Sequence, residues 1–325
     1  MFLDCVLLIV GMALLVKGAD WFVDGSSKIA KAMKIPPLVI GLTLVSMGTS
    51  MPEASVSINS SVNGLTDMSI GNIVGSDIFN TLLILGVSAL IVPLSIGRDI
   101  KVYDIPVMVG IYVLLILFAF AITPLRLDWW EGVIFLALFV GYTAFLIVRT
   151  KRENKRAEAE RAENAETEKE DAARKKTPLW LSIVLVVIGL AGIIFGGDLV
   201  VDNAAEIAKR LGMSETLVGL TIVAVGTSLP ELVTSVVASV KKENDIAIGN
   251  VIGSNIFNIV FILGVSSAVG SLTLAPSALT DLLVMLGSGI VIMLIAFFSK
   301  KLTRWQGALM VALYIGYLAY IIIRN

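Results

Sequence analysis

Ten stretches of this chain are apolar over lengths that match a bilayer: about 2–18, 38–61, 68–92, 103–122, 129–149, 179–196, 216–240, 246–269, 278–298 and 305–323. A hydrocarbon core about 30 Å thick takes roughly 20 apolar residues of helix. Lipid offers no partner to a backbone N–H or C=O, so such runs have to be helices. With 57% hydrophobic residues among 325, the chain is too apolar for a soluble domain, and an all-α integral membrane protein is predicted. The first run lacks a basic leader and a small-residue cleavage site and ends on Lys17, so it reads as the first span and not as a signal peptide.

What is missing narrows the chemistry. Cys5 is the one cysteine, which excludes an internal disulfide and a thiolate metal cluster. Histidine is absent, which removes every mechanism that needs an imidazole base. No G-x-x-x-x-G-K-[ST] string occurs, so the chain carries no P-loop ATPase of its own. An enzyme is not expected, and neither is a bound cofactor, a nucleic-acid partner or an obligatory protein partner; the lipid bilayer is the expected surrounding.

The charges are segregated. With the N-terminus outward, the inner loops hold Lys28, Lys31, Lys34, Arg98, Lys101, Lys241, Lys242, Lys300, Lys301 and Arg304, together with the basic cluster between spans 5 and 6. The outer side then keeps Arg126, Lys209, Arg210 and Arg324. The positive-inside rule therefore predicts a cell-membrane (inner-membrane) protein with both termini outside. Trp21, Trp129, Trp130, Trp180 and Trp305 fall at or just beyond span ends, where amphipathic rings favour the interface. The long polar segment from Thr150 to Thr177 mixes Glu, Lys and Ala without an apolar stripe, and reads as a solvated, partly helical cytoplasmic linker.

Adding 178 to each position aligns residues 41–88 with 219–266 without a gap, and 26 of those 48 residues are identical. "GTSMPEASVS" faces "GTSLPELVTS", and "IGNIVGSDIFN" faces "IGNVIGSNIFN"; Asp20 and Asp24 match Asp198 and Asp202. Each copy holds five spans, an odd number, so the second enters the membrane from the opposite side. The predicted organisation is ten helices in two inverted five-helix repeats: 1–149, a linker at 150–178, and 179–325. Inverted repeats are the habit of secondary transporters, whose ion sites lie at the midplane where the repeats meet.

Pro52 and Pro230 cannot donate to the carbonyls of Gly48 and Gly226, so both helices are predicted to break, freeing carbonyls near Gly48, Thr49 and Ser50. Those carbonyls, the hydroxyls of Thr49 and Ser50, and the Glu53 carboxylate form a set of hard oxygen ligands; Thr227, Ser228 and Glu231 repeat it. An acid inside a membrane is costly and defaults to a functional reading. Asn72, Ser76 and Asn80 share one helix face, as do Asn250, Ser254 and Asn258. Gly71 and Gly75, like Gly249 and Gly253, admit a close neighbouring helix. Two glutamates and neutral oxygens suit Ca²⁺ or a few Na⁺ ions, and protonation of the same acids can stand in for Na⁺. Asp77, whose counterpart is Asn255, either reaches this site or serves a helix contact. Asp67 and Asp245, where spans 3 and 8 begin, are expected to be N-caps.

Paired G-T-S-x-P-E and G-S-[DN]-I-F-N segments in two inverted halves resemble the α-repeats of the sodium/calcium exchangers, within the cation/calcium antiporter superfamily; the chain is similar to prokaryotic members. The resemblance implies a Ca²⁺/cation antiporter working by alternating access, with spans 1 and 6 sliding against the other eight. Na⁺ is the expected counter-ion; H⁺ coupling is the alternative, and a cation channel or a non-transporting scaffold is the reading from another class. Carried over by motif position, the ion ligands are Thr49, Ser50, Glu53, Ser76 and Asn80, with Thr227, Ser228, Glu231, Ser254 and Asn258. The carbonyls of Ser46 and Ala224 are possible additions by the same matching. Many sodium-coupled relatives carry an aspartate at one of the two last positions, whereas Asn80 and Asn258 are both neutral here.

Overall fold

The computed structural model describes residues 1–163, 178–213 and 224–324. Eight helices in it are long and apolar enough to cross a membrane. They are span 1 (Phe2–Met33), span 3 (Thr66–Ile91), span 4 (Ile100–Ile122), span 5 (Trp129–Glu163), span 6 (Leu179–Arg210), span 8 (Asn244–Val269), span 9 (Ala278–Phe298) and span 10 (Arg304–Arg324). Two spans are interrupted. Span 2 runs through Pro37–Thr49 and Met51–Val62, and the described part of span 7 is Ala224–Gly226 and Leu229–Val240. Residues 164–177 of the expected linker and 216–223 of the expected seventh span lie outside the described residues.

Loop contacts agree with ten alternating crossings. Strand β1 (Leu94–Ser95), after span 3, pairs antiparallel with β4 (Lys301–Leu302), before span 10. Strand β2 (Arg126–Leu127), before span 5, pairs with β3 (Leu272–Thr273), after span 8. Six crossings separate the first pair and four the second, so both partners of each pair lie on one side. Spans 3 and 8 are the most enclosed by protein, while spans 1, 5, 6 and 10 turn most of their surface outward, toward lipid.

Spans 1 and 6 outrun the hydropathy reading. Each is 32 residues long, about 48 Å at 1.5 Å per residue. Lys17, Asp20 and Asp24 end the apolar run without ending the helix, because charged residues on one face leave the i→i−4 ladder intact. Trp21 consequently sits inside a helix and not at its end. Termination waits for Lys34, which takes a left-handed φ of 55° and caps the carbonyls of Ala30 and Lys31. Pro36 and Pro37 follow, and Pro37 opens the next helix. Span 5 likewise runs without a break past residue 149 to Glu163.

The two long helices pack antiparallel along a seam of small residues seven apart: Gly11, Gly18 and Gly25 on span 1 against Gly196, Gly189 and Ser182 on span 6. A Cβ added at Gly18 would lie 2.7 Å from the Gly189 carbonyl oxygen. Backbone therefore touches backbone there, which any side chain forbids. Farther out, spans 4 and 5 are joined by Arg149, which donates to Asp104 while Tyr142 donates to the same carboxylate. Spans 9 and 10 repeat the arrangement with Arg324, Tyr317 and Asp281.

Asp67 and Asp245 are not N-caps. Both stand second in their helices, behind Thr66 and Asn244, where their charge still favours the positive end of the helix dipole. Asp67 instead accepts a hydrogen bond from the Ala275 N–H in the loop after span 8.

Candidate functional site

The break in span 2 falls on Ser50 (φ −82°, ψ 10°), one residue before Met51 and two before Pro52. The break in span 7 falls on the matching Ser228 (φ −92°, ψ 5°), two before Pro230. Both prolines occupy the first turn of the following helix, where no N–H is missed. Of the carbonyls expected to be freed near Gly48, Thr49 and Ser50, that of Ser50 is engaged: it accepts the Ala54 N–H and so begins the next helical segment, as the Ser228 carbonyl does with the Leu232 N–H. What the breaks turn inward is the serine hydroxyl, with the acid held in the first turn of the second half-helix.

Those two features cross between repeats. Ser228 Oγ donates to Glu53 Oε1 at 2.9 Å, and Ser50 Oγ donates to Glu231 Oε1 at 2.9 Å. Both carboxylates are fully enclosed. Ser76 joins the first pair, its Oγ 3.1 Å from Ser228 Oγ. Ser254 Oγ lies 3.5 Å from the Ser46 carbonyl oxygen, which already accepts from the Ser50 N–H. Thr49 Oγ1 donates to Asn250 Oδ1 at 3.1 Å. Of the expected carbonyl ligands, Ser46 is thus engaged within its own helix; Ala224 lies at the edge of the described part of span 7.

Asn72 and Asn250 brace the acids from behind. Asn72 Nδ2 donates to Ser57 Oγ and to the Glu53 carbonyl, and Asn250 Nδ2 does the same to Ser235 and Glu231. Asn80 and Asn258 donate across the repeat boundary, to Asn255 Oδ1 at 3.1 Å and Asp77 Oδ1 at 2.9 Å. Asn80 lies in a π-helical stretch, Phe79–Ile84, and Asn258 opens the corresponding one, Asn258–Leu263. Such wide turns recur at functional positions, and nothing in the residue pattern announced them.

The remaining oxygens give the centre its character. Glu53 Oε2, Glu231 Oε2, Asn80 Oδ1, Asn258 Oδ1, Asp77 Oδ2 and Thr227 Oγ1 are buried and meet no hydrogen-bond partner among the described residues. Five of the six can only accept. An uncompensated buried acceptor costs about 1–3 kcal/mol, and more when charged. A concentration of them, contributed by spans 2, 3, 7 and 8, is the donor set of a hard cation. Three of the six belong to acids and three are neutral, and no group of three acids, cysteines or histidines among the described residues could hold an ion, so neutral oxygens must complete the donor set.

Close helix packing holds these spans together. A Cβ at Gly249 or Gly253 would strike the backbone of span 2 at Leu38 or Leu42, as the G-x-x-x-G spacing predicts. Gly71 and Gly75 meet nothing within 4 Å among the described residues. The polar groups Thr81, Met108 and Tyr112 around Asn255 went unrecognised in the sequence. Asn255 Nδ2 donates to Thr81 Oγ1 at 2.7 Å and approaches Met108 Sδ at 3.6 Å. The equivalence of Asn255 with Asp77 was the available signal.

Comparison with known proteins gives one answer. The profile of the sodium/calcium exchanger protein family matches residues 3–148 and 181–323. A putative antiporter, CaxA, of Alkalimonas amylolytica is 36% identical over 321 residues, covering 98% of either chain. The sodium/calcium exchanger MaX1 of Methanosarcina acetivorans is 33% identical over 337 residues, covering 96% of both. The solved structure of the sodium-calcium exchanger NCX_Mj without Na⁺ or Ca²⁺ superposes with a TM-score of 0.83 at 34% identity, covering 98% of this chain and 99% of that one. Duplicated motifs, inverted five-span halves and whole-length similarity converge, and the chain belongs to the sodium/calcium exchanger family.

Proposed function

We propose that the protein exchanges Ca²⁺ for a monovalent cation, Na⁺ in preference to H⁺, across the cell membrane by alternating access. The observation that carries this reading is the crossed pair of Glu53 and Glu231, each with one oxygen held by the other repeat's serine and one with no donor. Two carboxylates balance one divalent ion, and the surrounding hydroxyl and amide oxygens fit the six to eight ligands that Ca²⁺ takes in a tolerant geometry. The proposed ligands are Glu53, Glu231, Thr49, Ser50, Thr227, Ser228, Ser76, Asn80, Ser254 and Asn258. Family membership and the names of the relatives support Ca²⁺ and Na⁺ as the transported substrates. We further read 1–149 and 179–325 as the two repeats, 150–178 as the cytoplasmic linker, and both termini as outside the inner membrane, on the distribution of Lys and Arg.

Each positive charge entering in excess of the two on Ca²⁺ contributes about 2.3 kcal/mol per 100 mV of membrane potential. Inside-out vesicles loaded with Na⁺ are expected to take up ⁴⁵Ca²⁺ until the Na⁺ gradient is collapsed. Uptake that survives this and stops when the proton gradient is collapsed would overturn the Na⁺ assignment. Ohmic Ca²⁺ current that needs no counter-ion would replace the exchanger with a channel.

A further inference from the structure

Asp77 on span 3 is a fully buried carboxylate without a task among the ten proposed ligands. Outside the ligand set, the other enclosed acids among the described residues are answered. Asp104 has Arg149 and Tyr142, and both oxygens of Glu131 accept from Thr123, one also from the Asp128 N–H. Asp77 Oδ1 accepts only the Asn258 amide, at 2.9 Å, and Oδ2 meets no donor among the described residues. The Tyr112 hydroxyl faces it without reaching hydrogen-bond geometry.

The contact fixes more than a packing distance. A carboxylate only accepts, whereas a carboxamide has a donor end and an acceptor end. Facing Asp77, Asn258 has one usable orientation, with Nδ2 toward the acid and Oδ1 away from it. That Oδ1 is among the buried acceptors lacking a donor. The mirrored contact, Asn80 to Asn255, needs further support. Asn255 presents its oxygen to Asn80 because its own nitrogen is occupied by Thr81. One brace is thus charged and the other neutral, although the repeats are otherwise matched at these positions.

We propose that Asp77 is a positioning residue of the cation site. It turns the Asn258 oxygen toward the ion path and places a third negative charge one side chain behind the ligands. This rests on the ion-site reading above. Coulomb attraction scales with ionic charge, so the extra charge favours Ca²⁺ over Na⁺ twice as strongly in free energy.

The test uses the full-length protein in proteoliposomes and reads the initial rate of ⁴⁵Ca²⁺ uptake against Ca²⁺ and against competing Na⁺. Asp77→Asn keeps an acceptor for Asn258 and removes the charge. Its KM for Ca²⁺ is expected to rise about 10- to 100-fold, the usual effect of losing a partner behind a metal ligand, with the maximal rate little changed. The Na⁺ constant should move by roughly the square root of that factor for each ion bound. Adding Asn258→Asp to Asp77→Asn returns the charge across the same hydrogen bond and should recover Ca²⁺ affinity. An unchanged KM in folded Asp77→Asn, equal shifts for both ions, or no recovery in the double variant would each overturn the proposal. If Asp77→Asn does not fold, the double variant decides, and failure of both assigns Asp77 to folding alone. Glu53→Gln runs alongside: if it still transports, the ion-site reading has failed; if it is inactive while Asp77→Asn is silent, only the role of Asp77 falls.

Discussion

At Glu53 and Glu231 the protein keeps two acids where nothing in the described structure is positively charged, and lends each a single hydroxyl from the other repeat. A cation arriving there finds charge already in place and oxygens already oriented. Glu53→Gln and Glu231→Gln are each expected to bring ⁴⁵Ca²⁺ exchange close to background at unchanged expression; activity retained by either would remove that residue from the site. Ser228→Ala and Ser50→Ala should be milder. A hydrogen bond to a charged group contributes about 1.5–3 kcal/mol, so apparent Ca²⁺ affinity should fall tenfold or more in either variant. The duplicated motifs disclosed the residue types and their pairing in sequence. They could not disclose the crossing, since a hydroxyl two or three residues from an acid suggests a local contact, and only the inverted docking makes it a contact between repeats. Of the carbonyls expected to be free near Gly48, Thr49 and Ser50, that of Ser50 is taken because Pro52 removes the donor that Gly48 would have used and leaves the Ala54 N–H, the ordinary partner of Ser50, in place.

At the scale of helices, hydropathy located the eight long apolar helices and the interrupted span 2 seen among the described residues, but misjudged where some end. Lys17 and Asp20 interrupt the apolar pattern of span 1, yet a helix ends at a cap and not at a charge, and the cap is Lys34. The glycine seam was equally present in the sequence at seven-residue spacing. Its meaning depends on which helix lies opposite, and that is a tertiary fact. Gly18→Leu is expected to abolish transport and lower the melting temperature in detergent. Gly141→Ala, where a Cβ meets nothing within 4 Å among the described residues, should be neutral or slightly stabilising through helix propensity. The Asp104–Arg149 clamp makes a different demand. Arg149→Met strands a fully enclosed carboxylate, which costs about 3–5 kcal/mol, whereas the double variant Asp104→Leu/Arg149→Met should regain most of the loss. Thermal unfolding of the three proteins checks both statements. Its counterpart at Asp281 and Arg324 was detectable from the repeat, being displaced by nearly the same offset as the core motifs.

The whole molecule is less symmetric than its repeats. Lys241, in the turn between spans 7 and 8, binds Asp20 and Asp24 on span 1, and Ser27 and Lys31 reach Glu243 beside it. Burial works against the Lys241 charge, but the two aspartates prevail and hold its pKa above the ordinary value. The matching acids on span 6, Asp198 and Asp202, form no salt bridge among the described residues, and Asn63 and Leu65 stand where Lys241 and Glu243 would be. Lys241→Asn, which copies the other repeat, should raise hydrogen exchange over Asp20–Met33 relative to Asp198–Arg210. Unaltered exchange would mean that the lysine does not restrain span 1.

This one-sided fastening bears on what such a machine can and cannot do. Two copies of one part, used in opposite directions, would by themselves idle equally long on either side of the membrane. If the Lys241 contacts to Asp20 and Asp24 break when span 1 moves, the two resting poses differ in free energy by their worth. The contacts would then set how the protein divides its time when ions are scarce, and how fast it answers when they arrive. They leave untouched the steepness of the gradient the exchanger can finally sustain, which the ratio of ions alone determines. Speed and reach are thus set by different residues, and one can evolve without disturbing the other.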